Sequence, residues 1–530
     1  MAEKKKAPAQ KKSRNNVRKI KSDKGKIVAS AAAPSGHKAS IGKMSDGSFP
    51  IVGIGASAGG LEAIEQFFTH MPPDAGTAFI VIPHLDPSHA SMMTDLIRRF
   101  TKMAVVEAGD GMQVEPDHVY VIPPNRNLAI FHKALQLSMP ADPRGLRMPI
   151  DFFFRSLAED HGEKAICIIL SGTGSDGTLG LRAINGAGGM SMVQDPASAK
   201  YDGMPESAIK TGLADYILPA DKMPEQLNGY VARFYQKAAR RTPPLPEKTP
   251  GAMQKIFMLL RSKTGHDFSL YKKNTIHRRI EKRMSVHQFE DASQYVRYLQ
   301  DHPDEVKNLF KELLIGVTNF FRDAEAFEIL KKKILPKMLS GKAENYELRI
   351  WAPGCSTGEE VYSIAMVIRE YMDELKHNFK VQLFGTDIYE EAIARARAGL
   401  YPGNISLDVN PLRLKRFFIK EGNEYIIKKD IREDVVFAIQ NVIKDPPFTR
   451  LDIISCRNLM IYLEPELQNK LIPLFHYRLK PGGVLAVTEL FPDPDYPWKS
   501  TTIKLGTEAG FVVDEVSGNF FNYTVRFRKP

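Results

Sequence analysis

The sequence predicts an α/β protein built from two doubly wound, mainly parallel sheets, the second preceded by a small helical subdomain and carrying a small β insertion near 400–435. Two observations lead there. Short apolar runs alternate with amphipathic helical stretches in both halves of the 530-residue chain, the pattern of strand–helix–strand units that make parallel sheets. The stretch QKAARRTPPLPEKTP at 236–250, with four prolines and five charges, interrupts that pattern as a semi-rigid linker. The expected organisation is a basic tail at 1–48, a first domain at 49–235, the linker, a helical subdomain at 251–325 and a second sheet domain at 326–530.

The tail holds eleven Lys and two Arg against three acids, so it carries ten of the eleven net positive charges. It has almost no large apolar residues and cannot bury a core, which makes it a solvated extension rather than a nucleic-acid-binding arm. Its apolar stretch is too short for a signal peptide. No apolar run approaches the ~18 residues of a membrane span, so a protein not integral to the membrane is expected. Cys167, Cys355 and Cys456 are far apart and form no metal-ligand spacing. They read as free thiols in a reducing cytoplasm, and no metal is expected.

The first domain opens with IVGIGASAGGLEAIEQFF at 51–68: a buried strand, a glycine-rich turn holding Ser57, and an amphipathic helix. Further strands are expected at 78–82, 119–122, 165–170 and 190–193. Two glycine loops follow strands. The spacing GxGxxG at 172–177 fits a dinucleotide fingerprint, with Asp195 at about the ~20-residue offset of a ribose-binding acid. Asp176 inside that loop would face a pyrophosphate with no cation to offset it. The first loop has the wrong spacing and no Walker lysine. The competing reading makes Ser57 a nucleophile on a tight turn, with backbone N–H groups at the helix start as an oxyanion site, His84 past a second strand as base, and Asp176 past a third as its orienting acid. On composition alone His89, His118, His132 and His161 serve as well as His84, and Asp176 also suits a turn or a cap.

The motifs GIGASAGGLEA, VIPHLDPSH and ILSGTGSDGTLGL, with GGMSMVQDPASAKYDGMPESAI, together resemble the chemotaxis receptor methylesterases, the CheB catalytic domain. The resemblance covers about 49–230 and implies Ser57 as nucleophile, His84 as base and Asp176 as orienting acid in hydrolysis of glutamyl methyl esters, with glutamine deamidation as a related activity. Thr173 stands where many members have Met. Members usually carry an N-terminal receiver domain. The 48-residue tail cannot form one, so control by a phosphorylated Asp in this chain is not expected.

In the second half, residues 252–325 show helical periodicity, and Lys272, Lys273, Arg278, Arg279, Lys282 and Arg283 give one helix a cationic face. That face is either solvated or meets an acidic helical partner. Then ELRIWAPGCSTGEEVYSIAM reads as strand, glycine turn and helix, and VQLFGTDI as a second strand ending at Asp387, where an acid can accept ribose hydroxyls. Glu359 and Glu360 suit the helix dipole and repel phosphate. They fit a cofactor with no phosphates and net positive charge, S-adenosylmethionine, which favours a methyltransferase over a dehydrogenase. A hairpin is expected around Gly422-Asn423 and two closing strands after residue 510.

The motifs VTNFFRD, APGCSTGEEVYSIAM, GTDI, RAGLY, CRNLMIYL and LKPGG, in that order over about 252–490, resemble the chemotaxis receptor methyltransferases, the CheR family. The resemblance implies that Glu359 and Asp387 bind the cofactor's amino-acid and ribose parts. It implies that Pro353, Asn441, Val442, Arg457 and Asn458 line its pocket, and that Thr318, Arg322 and Tyr462 surround the methyl group and the incoming carboxylate. The cationic helix 272–283 would face the methylation helices of a chemoreceptor. The hairpin is short where members that bind receptor tails carry extra residues, so such tethering is not expected. Thr488 and Glu489 replace a Ser-Glu pattern and receive no role.

The whole reads as a fusion of two opposed enzymes, one adding methyl groups to receptor glutamates and one removing them, with the linker as the place for rearrangement. The alternatives are an active methyltransferase whose esterase-like half is a silent scaffold, and a dehydrogenase, which Asp176, Glu359 and Glu360 disfavour.

Overall fold

The computed structural model describes residues 49–84, 90–140, 147–239, 250–343, 345–446, 448–490, 499–518 and 522–530. The basic tail, His89 and most of the proline-rich linker lie outside the described residues.

The first half runs through strands β1 (Ile51–Ala56), β2 (Ala78–Pro83), β3 (Ala104–Glu107), β4 (His118–Val121), a hairpin of β5 (Asn127–Phe131) and β6 (Ala134–Ser138), then β7 (Ala165–Ile169), β8 (Met190–Gln194) and β9 (Tyr216–Leu218). Seven of these form one parallel sheet in the order β3–β4–β2–β1–β7–β8–β9, with β5 and β6 paired separately. The five runs expected from sequence are strands. β3, β9 and the hairpin, which lie outside those runs, extend the architecture. Helix α1 (Gly60–His70) covers one face, where Ile64, Phe67 and Phe68 pack on Val52 and Ile54. Helix α2 (Pro149–His161) covers the other with Phe153 and Phe154. The glycines of GIG belong to that second face. A Cβ on Gly53 would lie 2.8 Å from a ring carbon of Phe154, so the strand's missing side chains bring α2 close to the sheet.

The second half begins with helices whose own core includes Ile256, Leu260, Phe268, Ile280, Tyr295 and Leu309. Its strands are β10 (Glu347–Pro353), β11 (Lys380–Asp387), β12 (Leu400–Pro402), β13 (Phe418–Glu421), β14 (Glu424–Ile427), β15 (Val435–Ile439), β16 (Leu451–Arg457), β17 (Leu479–Leu490), β18 (Val512–Gly518) and β19 (Asn522–Arg528). The main sheet has the order β15–β11–β10–β16–β17–β19–β18, parallel except around β19. The chain reverses direction of build between β10 and β16, and the crevice at such a switch point is where ligands enter doubly wound sheets. The insertion is a three-stranded antiparallel sheet, β12–β14–β13, one strand more than the expected hairpin, with Gly422 at its turn at φ 58°.

The two halves pack against each other. Helix α3 (Thr178–Gly186) of the first half meets the helical subdomain through helix α4 (Lys273–Val286). Arg279 donates to the carbonyls of Asn185 (2.7 Å) and Gly186 (2.6 Å) at the end of α3. Lys282, only 1% exposed, lies 3.3 Å from Asp215 of the first half and 3.2 Å from Glu312 on helix α5 (Pro303–Leu314). Arg283 pairs with Glu305 at 2.6 Å and approaches Asp215 at 3.5 Å. Half of the cationic face expected to await a receptor is therefore internal, because acids on α5 and next to β9 neutralise it there. Burial pushes Glu312 up, but Lys282 and Arg279 outweigh it and hold it at about 2. With these pairs closing the seam, the linker does not join two independently moving bodies.

Two candidate active sites

The first site gathers at the C-terminal edge of three adjacent strands. Ser57 follows β1, His84 follows β2, and Asp176 lies past β7. The serine turn is pinned by its backbone: Ser57 N–H donates to the Ser171 carbonyl (2.9 Å), Gly60 N–H to the Ser57 carbonyl (2.9 Å), and His84 N–H to the Ala56 carbonyl (2.8 Å). The Gly60 N–H is thus committed within the turn and is not an oxyanion donor. His84 Nε2 lies 2.7 Å from Asp176 Oδ2, and Asp176 is 2% exposed. The same carboxylate accepts from the N–H groups of Ile150 (3.0 Å), Asp151 (2.8 Å) and Gly177 (2.8 Å), at the starts of α2 and α3. Asp176 is therefore a helix-terminus anion and a histidine partner at once. Ser57, His84, Thr173 and Asp176 line one cleft, together with Pro123, Arg126, Met148 and, from the second half, Asn423. Among the described residues, His118, His132 and His161 do not line it. Gly172 of the GxGxxG loop packs on the serine turn: a Cβ there would sit 2.8 Å from that of Ser57.

The second site is a cavity at the switch point, lined by Thr318, Arg322, Gly354, Ser356, Glu360, Asp387, Gln440, Asn441, Val442, Arg457, Asn458 and Tyr462, with His266 and Tyr271 from the helical subdomain. The turn after β10 puts Gly354, Ser356 and Gly358 at positive φ, which aims backbone N–H groups at the end of β11. Asp387 accepts from Ser356 N–H (2.9 Å) and Tyr389 N–H (3.0 Å), and burial raises its carboxyl. Burial also raises Glu360, against the pull of Arg457 and a 2.7 Å hydrogen bond from Ser455. Asn441 closes an Asx turn by accepting from Ile443 and Lys444 N–H. Arg322 donates to the Val317 carbonyl (3.1 Å), and Arg457 pairs with Asp323 (2.9 Å).

Two expected residues fall elsewhere. Glu359 does not line the cavity: its carboxylate, 2% exposed, accepts from Thr357 Oγ1 (2.6 Å) and from Arg182 of the first half (3.2 Å). The next residue in the helix, Glu360, lines the cavity. Pro353 ends β10 behind Gly354, which supplies the wall instead.

Sequence comparisons agree with this division. A profile described as CheB methylesterase matches residues 52–227. Profiles described as CheR methyltransferase, all-alpha domain, and CheR methyltransferase, SAM binding domain, match 251–314 and 316–490. A chemotaxis protein methyltransferase of Borreliella burgdorferi is 31% identical over 246 residues, covering 45% of this chain and 87% of that protein. The chain belongs to the CheR methyltransferase family and carries a CheB methylesterase domain. An uncharacterized 104.1 kDa protein of Rhodobacter capsulatus is 36% identical over 413 residues, 74% of this chain and 43% of that one. A protein-glutamate methylesterase/protein-glutamine glutaminase of Xanthomonas oryzae is 38% identical over 181 residues, 33% of this chain and 50% of that one. The chain thus spans about half or less of the length of these two relatives. Among solved structures, the Thermotoga maritima CheB methylesterase catalytic domain is 31% identical, with a TM-score of 0.33, covering 34% of this chain and 98% of that one.

The CheR half's cavity suits S-adenosylmethionine by its chemistry. Among the described residues, Asn458 Nδ2, Gln440 Oε1 and Arg457 Nε are buried without hydrogen-bond partners, and all three residues line it. Unpaired buried polar atoms are costly unless a ligand meets them. The acids Glu360 and Asp387 match a cationic, phosphate-free molecule bearing hydroxyls. Gln440, His266 and Tyr271 carry no motif that flags them. His266, pressed by burial and by Lys444 to about 4, is a neutral hydrogen-bond partner of Tyr271 (2.9 Å) and Asn441 (3.3 Å).

Proposed function

We propose that this chain is a bifunctional chemotaxis enzyme, working on cytoplasmic helices of methyl-accepting receptors. The CheR half methylates glutamate side chains and the CheB half hydrolyses the resulting esters, with glutamine deamidation as the related hydrolysis. The observation that supports the reading is the occurrence of two constellations in one chain: Ser57, His84 and Asp176 in one cleft, and Glu360, Asp387, Arg322 and Asn458 in one cavity.

In the CheR half, bound S-adenosylmethionine supplies an electrophilic methyl on a positively charged sulfur. Glu360 and Asp387 hold its ammonium and ribose ends, and Asn458 and Gln440 meet its remaining polar groups. A glutamate carboxylate is already ionised at neutral pH, so no general base is required. Arg322 and Tyr462, which line the same cavity, would orient the incoming carboxylate. In the CheB half, Ser57 Oγ attacks the ester carbonyl while His84 takes its proton. His84 then returns the proton to the departing methoxide, and Asp176 stabilises the imidazolium between the two events. Water repeats the sequence on the acyl-enzyme and frees the carboxylate.

The test supplies methyl-labelled S-adenosylmethionine and receptor-bearing membranes to the parent and to Ser57→Ala, and follows label in receptor and in volatile methanol. Label should enter with both proteins, and methanol release should fall by about 10³-fold or more in the variant. Incorporation with equal release from both would sink the esterase. No incorporation together with no S-adenosylhomocysteine binding would sink the methyltransferase.

A further inference from the structure

We propose that Asn404, a residue of the CheR half, is a positioning residue for the CheB reaction, fixing the loop that holds Asp176 against His84. This rests on the esterase reading above.

Asn404 is 0% exposed, and its partners lie across the seam between the halves. Its Nδ2 donates to Asp151 Oδ2 at 2.7 Å and to the Ser175 carbonyl at 3.2 Å. Both acceptors are tied to the triad acid. Ser175 immediately precedes Asp176, and the Asp151 N–H donates to Asp176 Oδ1 at 2.8 Å. The other oxygen of Asp151 accepts from Gly180 N–H at 2.6 Å, at the start of α3. One amide from the CheR half therefore clamps the start of α2 and the Asp176 loop together.

The clamp sits where two buried carboxylates meet. Asp151 is pushed up to about 8 by burial and then by Asp176, against the Gly180 N–H, the Arg155 cation and Asn404 itself. Asp176 is the carboxylate that faces the His84 imidazole, so the groups that hold Asp151 also hold the loop on which that pairing depends. Asn404 is held by its own neighbours. A Cβ on Gly403 would lie 2.7 Å from the Asn423 carbonyl oxygen, so the turn bearing Asn404 is packed on the hairpin tip. That same tip places Asn423 in the wall of the CheB cleft.

A fluorophosphonate probe, which captures an activated serine without any receptor, provides the test. Ser57 should be modified in the parent and not in Ser57→Ala. Asn404→Ala should slow capture about tenfold at neutral pH and displace the midpoint of its pH profile, since small misplacements of a catalytic group carry penalties of that order or more. Arg395→Ala removes a different seam contact, to the Thr211 carbonyl, and should stay within about twofold of the parent. Capture by Asn404→Ala at or above the parent rate, or with an unmoved pH profile, would overturn the proposal while leaving the esterase reading intact. Equal slowing by Arg395→Ala would overturn it too, as general loosening of the seam. An unreactive Ser57 in the parent would bring down the esterase reading and this inference with it.

Discussion

Glu359 and Glu360 stand side by side at the start of one helix and do different work. Successive helical residues point about 100° apart, so one reaches across to Arg182 while the other faces the cofactor cavity. Glu360→Gln should weaken S-adenosylhomocysteine binding by about tenfold to a hundredfold, the value of a charged hydrogen bond, measured by calorimetry. Glu359→Gln should weaken it much less. The sequence carries both acids but not their phase, because the residue that captures Glu359 is 177 positions away. The convergence of Ser57, His84 and Asp176 on one cleft was more legible, since each sits past an apolar strand that the pattern reveals. What remained hidden was the second carboxylate, Asp151, which looks like an ordinary first-turn acid of α2. Glu489, given no role from sequence, is 0% exposed, and burial pushes it up to about 8 despite the N–H donated by Met460. Its folded value lies above its unfolded one. Its contribution to stability is therefore complete below the ordinary glutamate range and is lost as pH rises through about 8. Titrated melts should show stability falling toward pH 8 with a slope of up to about 1.4 kcal/mol per pH unit, and Glu489→Gln should remove that component of the slope.

At the scale of elements, strands with a continuous buried run were readable and those with exposed positions were not. β1 and β2 are almost wholly buried, and β4, only four residues long, has three of them buried. β3, of the same length, and β9 have exposed positions that break the apolar run. Helix α4 illustrates the other limit. Its five lysines and arginines, with Lys272 just before them, read as one cationic face, yet Arg279, Lys282 and Arg283 are buried. Nothing local announces this, because the acids that receive them come from α5 and from the other half of the chain. Lys282→Met should destabilise the protein by about 3–5 kcal/mol, since Asp215 and Glu312 would stay buried with a missing cation, and urea unfolding measures it. A change of under about 1 kcal/mol would mean that Arg279 and Arg283 suffice.

At the scale of the molecule, the proline-rich stretch falls between the residues that match the CheB and CheR profiles, 52–227 and 251–490, and contacts join the two halves on either side of it. Buried pairs at Lys282–Asp215, Arg155–Asp408 and Arg182–Glu359 cross from one half to the other. The chain should therefore melt in a single calorimetric transition, monitored equally by S-adenosylhomocysteine release and by loss of Ser57 reactivity. Two separated transitions would show the seam to be weak. Arg182 lies in the CheB domain and Glu359 in the CheR domain. Swapping either half for a relative's that lacks the matching residue would leave one member of the pair without its counterion, at a cost of several kcal/mol. A substitution that removes the cation at 182 should therefore need a matching change at 359. A chimera designed by cutting at the prolines would inherit the mismatch; one designed to keep the seam residues of a single parent would not.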